Sequence, residues 1–214
     1  MSKKKKDSLD KRTRRAEAEL AELEAIIRAM ELDEQVREEQ DRLERDWEHG
    51  VFRVYGELDS PLCVDLEAKI SLWSRGHEGK PITLYLYSPG GDAMAGWLLY
   101  DSLHKLRKVG HHISIVVRGY AASMGAVLLQ AADTRLMGKE SWIMVHEPSS
   151  GAWGKQSELN DHAKFIKKVN DRMYAVLAKR SKLSAKEMRA LSKRKDVWLD
   201  SAEALELGLV DAIG

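Results

Sequence analysis

Three short runs carry the side chains that could do chemistry: Ser88-Pro-Gly-Gly91, Gly119-Tyr-Ala-Ala-Ser-Met-Gly125 and His146-Glu-Pro148. Ser123 follows a continuous apolar, β-branched run at 113–117 that reads as a buried strand, and it precedes a run at 126–132 that reads as a buried helix. A serine on such a turn has an uncrowded hydroxyl between small residues. It also sits beside backbone N–H groups that a helix start leaves free and partly positive. The two glycines at 90 and 91 let a substrate backbone approach and aim further N–H groups at it, as an oxyanion hole requires. An imidazole such as that of His146 is what a serine hydroxyl needs as proton acceptor, and a carboxylate fixes the imidazole's tautomer. Asp161, Asp171, Asp196, Asp200 and Asp211 all follow His146, and spacing alone does not choose among them. Each piece also has an ordinary explanation. Ser123 reads as a helix N-cap, the Gly-Gly run as a tight turn, and His146 as a satisfied histidine at a strand end. His49, His77, His104, His111, His112 and His162 read as surface residues.

The elements that must position these runs alternate between strand and helix. Strands are expected at 51–58, 82–87, 113–117 and 142–145, and helices at 62–73, 93–106 and 126–132, with 133–138 as a connection. That alternation predicts an α/β fold with a mostly parallel sheet and crossover helices. Its functional loops lie at the carboxyl ends of strands, where all three runs fall. After a flexible 149–154, a long helix is expected over 157–179 with Leu159, Ala163, Ile166, Met173 and Leu177 on one face. Ser184 with Glu187 and Asp200 with Glu203 have capping-box spacing and start two short helices. A small strand or tail at 209–213 ends the chain.

Residues 1–48 differ from the rest, with no Gly or Pro before Gly50 and mostly charged residues, Ala, Leu and Gln. Residues 1–15 carry eight Lys/Arg against two Asp/Glu, and residues 16–50 carry four against thirteen. The segment reads as a charged helical or partly disordered arm. Leu20, Leu23, Ile27 and Met30 form a short seam that Leu32, Val36, Leu43 and Trp47 leave, with Glu24–Arg28 and Glu38–Arg42 as supporting pairs. The domains are therefore expected at 1–48 and 49–214. The net charge of +1 gives no pull toward nucleic acid or membrane, so neither is expected as a partner. The lone Cys63 fits a reducing compartment and a half-buried helix position, with no metal spacing around it. The basic start lacks an apolar core, and no apolar run nears the roughly 20 residues that span a bilayer. A cytoplasmic protein without metal is expected.

Ser88-Pro-Gly-Gly91, Gly119-Tyr-Ala-Ala-Ser-Met-Gly-Ala126, Met144-Val-His-Glu-Pro148 and Ala204-Leu-Glu-Leu-Gly-Leu-Val-Asp211 resemble, in order and interval, the signature blocks of the Clp peptidase proteolytic subunit. The resemblance runs from about residue 51 to the C-terminus. It implies a serine endopeptidase of crotonase-like fold with Ser123 as nucleophile, His146 as general base and Asp196 as the acid. The oxyanion-hole N–H groups would belong to Gly91 and Met124. A substrate strand would lie along Gly90 and Gly91, with Asp92, Ser149 and Ser150 as further contacts. It also implies a homo-oligomeric heptameric ring or stacked double ring, with 149–180 as a protruding handle. Protein or peptide substrates would be fed by an AAA+ Clp ATPase, and ATP would enter only through that partner, with no cofactor in the peptidase. The arm is similar to what phage-encoded, Clp-related head-maturation proteases carry, which cleave scaffold or capsid protein without an ATPase. Two readings of other kinds are a crotonase-type acyl-thioester enzyme and a non-catalytic assembly subunit.

Overall fold

A computed structural model of the chain describes residues 3–214, with side chains over 20–41 and 45–214. It divides into two compact units, 1–48 and 49–214. The first is a single helix, α1 (Lys3–Glu48). Arg37 pairs with Asp33 at 2.7 Å, whereas the expected Glu24–Arg28 pair does not form. The Glu38–Arg42 pair and Leu43 lie outside the described side chains.

The second unit runs β1 (Val51–Tyr55), α2 (Ser60–Gly76), β2 (Ile82–Ser88), α3 (Ala93–Lys108), β3 (Ile113–Ala122) and α4 (Met124–Leu129). It continues with β4 (Thr134–Met137), β5 (Trp142–Val145), α5 (Gln156–Ala178), α6 (Ala185–Leu191), β6 (Val197–Leu199), α7 (Ser201–Glu206) and β7 (Ala212–Ile213). The main sheet has the order β1-β2-β3-β4-β7, all parallel, as alternating strands and helices require. The starts of α2, α6 and α7 are capped as their sequences predict. Asp59 Oδ1 accepts from Leu62 N at 2.8 Å, and Ser184 and Asp200 each close a capping box with the glutamate three residues on.

Two departures from the expected elements matter for the site. Residues 133–138 are not a plain connection, because Thr134–Met137 pairs with β3 as β4. The charged Arg135 hid this strand. Its side chain is buried, and it meets Asp211 Oδ1 at 2.6 Å and Gln130 Oε1 at 2.6 Å. The second departure is that β3 runs five residues past its apolar stretch, and it forks. Ser114–Val117 pairs with β4, while 120–122 pairs with β5. Gly119, at φ 75°, marks the fork, and a Cβ there would sit 2.8 Å from the Tyr87 ring. Its N–H is held by Ser141 Oγ at 3.0 Å.

The core lies between the sheet and the helices, with Leu58, Leu84, Leu86, Leu99, Leu103, Ile113 and Ile115 all essentially inaccessible. Cys63 is fully buried rather than half-buried, and burial pushes its thiol up to about 11, so it is an unreactive packing residue. His111 is also buried, contrary to the surface reading. Its ring Nδ1 lies 2.7 Å from the Lys80 carbonyl, so a backbone partner explains it. On α5 only Val169, Met173, Tyr174 and Leu177 are buried, whereas Leu159 and Ala163, expected on the same inner face, are exposed. The first half of this helix has apolar spacing but no core beneath it within one chain.

Truncating Leu86 to Ala removes a fully buried side chain and is expected to destabilise by about 2–5 kcal/mol. The same truncation of exposed Leu72 should stay within about 0.5 kcal/mol. Denaturant midpoints and slopes for the two variants measure this, and equal losses would contradict the assigned core.

Candidate active site

Ser123 is the residue at which β3 ends and α4 begins. It has φ 54° and ψ −121°, a backbone region costly for any side chain. It occupies the N-cap position, yet its hydroxyl makes no capping bond. Oγ instead lies 2.7 Å from His146 Nε2. The ordinary reading of Ser123 as a cap is therefore not what the structure shows. Its own N–H donates to Met144 O at 2.9 Å, which ties the turn to the end of β5.

His146 is the first residue past β5, and Asp196 is the residue just before β6. These two strands are antiparallel, with Val145 opposite Val197, so the next pair outward is His146 and Asp196. Asp196 Oδ1 lies 3.4 Å from His146 Nδ1, with the carboxylate side chain 62% exposed. The other acids left open by spacing are engaged elsewhere. Asp161 pairs with Lys164, Asp171 with Lys167 and Arg189, and Asp200 caps α7. Asp211 is partly buried, which opposes its charge, but hydrogen bonds and charge from Arg135 and charge from Arg180 outweigh this and hold its carboxyl below the usual range.

The Ser88–Asp92 turn is clamped from one side. Leu58 N donates to Gly90 O at 2.7 Å, and Asp92 N donates to Leu58 O at 2.8 Å. Gly90 N donates to Ser88 Oγ at 3.1 Å. Gly91 sits between these bonds at φ 143°, and a Cβ there would come within 2.6 Å of Leu58 O. Among the described residues, neither the Gly91 N–H nor the Met124 N–H donates to a protein acceptor. Met124 leads α4, where first-turn N–H groups are free. Its buried side chain presses on Gly96 so closely that a Cβ there would overlap it.

These groups border a cavity of about 470 Å³. Gly91, Asp92, Ser123, Met124, His146, Ser149 and Ser150 all line it. Gly90 does not, because both of its backbone groups are already bonded and its missing side chain makes room for the Ser123 turn. A Cβ there would come within 2.7 Å of both Ala122 O and Ser123 Cβ. Asp92 borders the cavity, but its Oδ1 is taken by Met94 N and Ala95 N at 2.6 and 2.9 Å. Ser150 Oγ lies 2.6 Å from His162 Nε2, which pins the 149–154 loop to α5 and gives His162 a partner. Among the other lining residues, Glu57, Met94, Phe165, Ile166, Val169 and Met173 carried no separate signal of a site in the sequence. Of the α5 members, Ile166 and Met173 read as part of that helix's apolar face. No cluster of three or more His, Cys, Asp or Glu among the described residues could hold a metal ion.

A strained serine bonded to an imidazole, beside backbone N–H groups without a protein acceptor among the described residues, thus sits at the carboxyl ends of parallel strands. The Clp protease family matches residues 34–214, and the chain belongs to that family. An ATP-dependent Clp protease proteolytic subunit of Porphyromonas gingivalis (strain ATCC BAA-308 / W83) is 33% identical over 159 residues, 73% of this chain and 70% of that protein. A protein of the same name from Bacteroides fragilis (strain ATCC 25285) is 31% identical over 159 residues, 73% of this chain and 75% of its own length.

Gly90→Ala should force the Ser88–Asp92 turn off the Ser123 turn, combining a backbone clash with a disfavoured φ of 93°. A loss of about 1–3 kcal/mol is expected, read as a lower denaturation midpoint. An unchanged midpoint would contradict the close approach.

Proposed function

We propose that the chain is a Clp-type serine endopeptidase that cleaves peptide bonds through Ser123, His146 and Asp196. The observation that carries this is the 2.7 Å contact of Ser123 Oγ with His146 Nε2, made where a capping bond would otherwise form. Ser123 Oγ attacks the carbonyl carbon of the scissile bond while His146 Nε2 takes its proton. Asp196, facing Nδ1, holds the ring with that N–H toward itself and stabilises the imidazolium. The tetrahedral oxyanion accepts from the Gly91 and Met124 N–H groups. The imidazolium then protonates the leaving amine, giving an acyl-enzyme. Water, deprotonated by His146, attacks the ester and releases the second product. No cofactor enters these steps.

The cavity gives the reading its substrate side. Phe165, Ile166, Val169, Met173 and Met94 offer an apolar surface for a side chain next to the scissile bond. Gly91, Asp92, Ser149 and Ser150 border the path of an extended peptide. Gly90 shapes that path by packing rather than by contact with substrate. An acyl-thioester reaction of crotonase type would use the same N–H groups but would leave the Ser123–His146 contact without a task.

Assembly belongs to the same proposal. The exposed first half of α5 and the fully exposed Trp153 suit a handle that meets other copies in a ring or stacked double ring. An AAA+ Clp ATPase would feed that chamber; the relatives are named as ATP-dependent. A second reading keeps the chemistry and drops the ATPase: a head-maturation or scaffold protease of phage type. The part of the arm before residue 34 favours it, since it lies outside the family match. No helix among the described residues is long and apolar enough to cross a membrane, and work in the cytoplasm is part of this proposal.

Hydrolysis of a fluorogenic apolar peptide tests the chemistry. Asp196→Asn is expected to lower kcat by about 10⁴-fold with KM little changed, and Ser123→Ala to lower it at least as far. An Asp196→Asn enzyme within about tenfold of the parent would remove Asp196 from the mechanism.

A further inference from the structure

The seam of α1 precedes residue 34, where the match to the Clp protease family begins. Leu20, Leu23, Ile27 and Met30 lie on one side of the helix, and each is more than half exposed. Their 3-4-3 spacing is that of a coiled-coil contact, with Leu20 and Ile27 at a and Leu23 and Met30 at d. That assignment puts Glu17, Glu24 and Glu31 at e, and Glu19, Ile26 and Asp33 at g. Five of these six flanking positions are carboxylates, and none is basic.

This flank disfavours a second copy as the partner. In a parallel pair, g of one helix meets the e five residues further along the other, which sets Glu19 against Glu24. In an antiparallel pair e faces e and g faces g, so every charged meeting within 17–33 is again carboxylate against carboxylate. The basic residues of the arm do not repair this. They crowd into residues 3–15, where Leu9 is the single large apolar residue and no seam exists. After Met30 the apolar residues move around the helix. Leu32 is two positions on, about 200° away, so the seam ends there.

We propose that α1 is a docking helix for a different protein, one that presents an amphipathic helix with apolar a and d residues flanked by Lys or Arg. Such a partner covers the four exposed side chains and neutralises the carboxylates on both sides of them, while like-charge contacts reject a second arm. The inference concerns the arm alone and stands apart from the chemistry at Ser123.

The test uses the full chain and two labelled synthetic peptides of about four heptads, both with Ile at a and Leu at d. One has Lys at every e and g, and the other has Glu. Fluorescence anisotropy at low salt should show the Lys-flanked peptide binding at least about tenfold tighter, with the gap closing as salt is raised. Leu23→Asp combined with Ile27→Asp should abolish binding of the Lys-flanked peptide. Glu24→Lys combined with Glu31→Lys should reverse the preference. All four positions are solvent-exposed, so helicity by circular dichroism and peptidase activity should be unchanged. Equal binding of the two peptides, or no binding of the Lys-flanked one, would overturn the proposal. So would a fall in particle mass, by light scattering, in the Leu23→Asp/Ile27→Asp variant, because it would show that the seam is filled by another copy.

Discussion

The site depends on one strand having two different neighbours. β5 pairs in parallel with the far end of β3 and antiparallel with β6, and these ladders deliver Ser123, His146 and Asp196 to one place. A parallel partner ends in the same direction, so the serine after β3 and the histidine after β5 emerge side by side. An antiparallel partner begins where β5 ends, so the aspartate before β6 faces the histidine. The fork of β3 makes this possible, since β4 takes the first half of the strand and leaves the second half free for β5. No flexible loop positions the three groups; the backbone ladder does, with Ser123 N on Met144 O as its last rung.

The turn at Ser123 is held in a costly conformation by what surrounds it. Gly90 and Gly96 give up their side chains so that the Ser88–Asp92 turn and α3 can close on residues 122–124. Leu58 clamps the far side of that turn with two hydrogen bonds. The result divides labour between hydroxyl and backbone. The hydroxyl is released from capping and faces an imidazole. The Met124 and Gly91 N–H groups beside it have no protein acceptor among the described residues.

Much of this was legible in the residues, and what was not has physical causes. Ser123 and His146 stood out because small residues and strand ends flank them, and the mostly parallel sheet followed from strands alternating with helices. Spacing left Asp196 level with four other aspartates; the resemblance named it, and cross-strand register is what sets it opposite His146. β4 was missed because Arg135 looks like a surface residue until Asp211 and Gln130 are seen to satisfy it. The cavity floor was hidden for the opposite reason, since Ile166, Val169 and Met173 have the spacing of core residues. His111 and Cys63 were misjudged because burial depends on long-range packing that a single chain segment does not reveal.

The arm and the catalytic unit pose separate questions, one of recognition and one of chemistry, and the chemistry is the more central. It is tested most directly by treating the full chain with a fluorophosphonate and locating the adduct by peptide mass spectrometry. The account predicts one adduct, on Ser123, that is lost in Ser123→Ala and slowed by at least about 10³-fold in His146→Ala. Labelling that persists in Ser123→Ala, or a parent chain that takes no label at all, would contradict it.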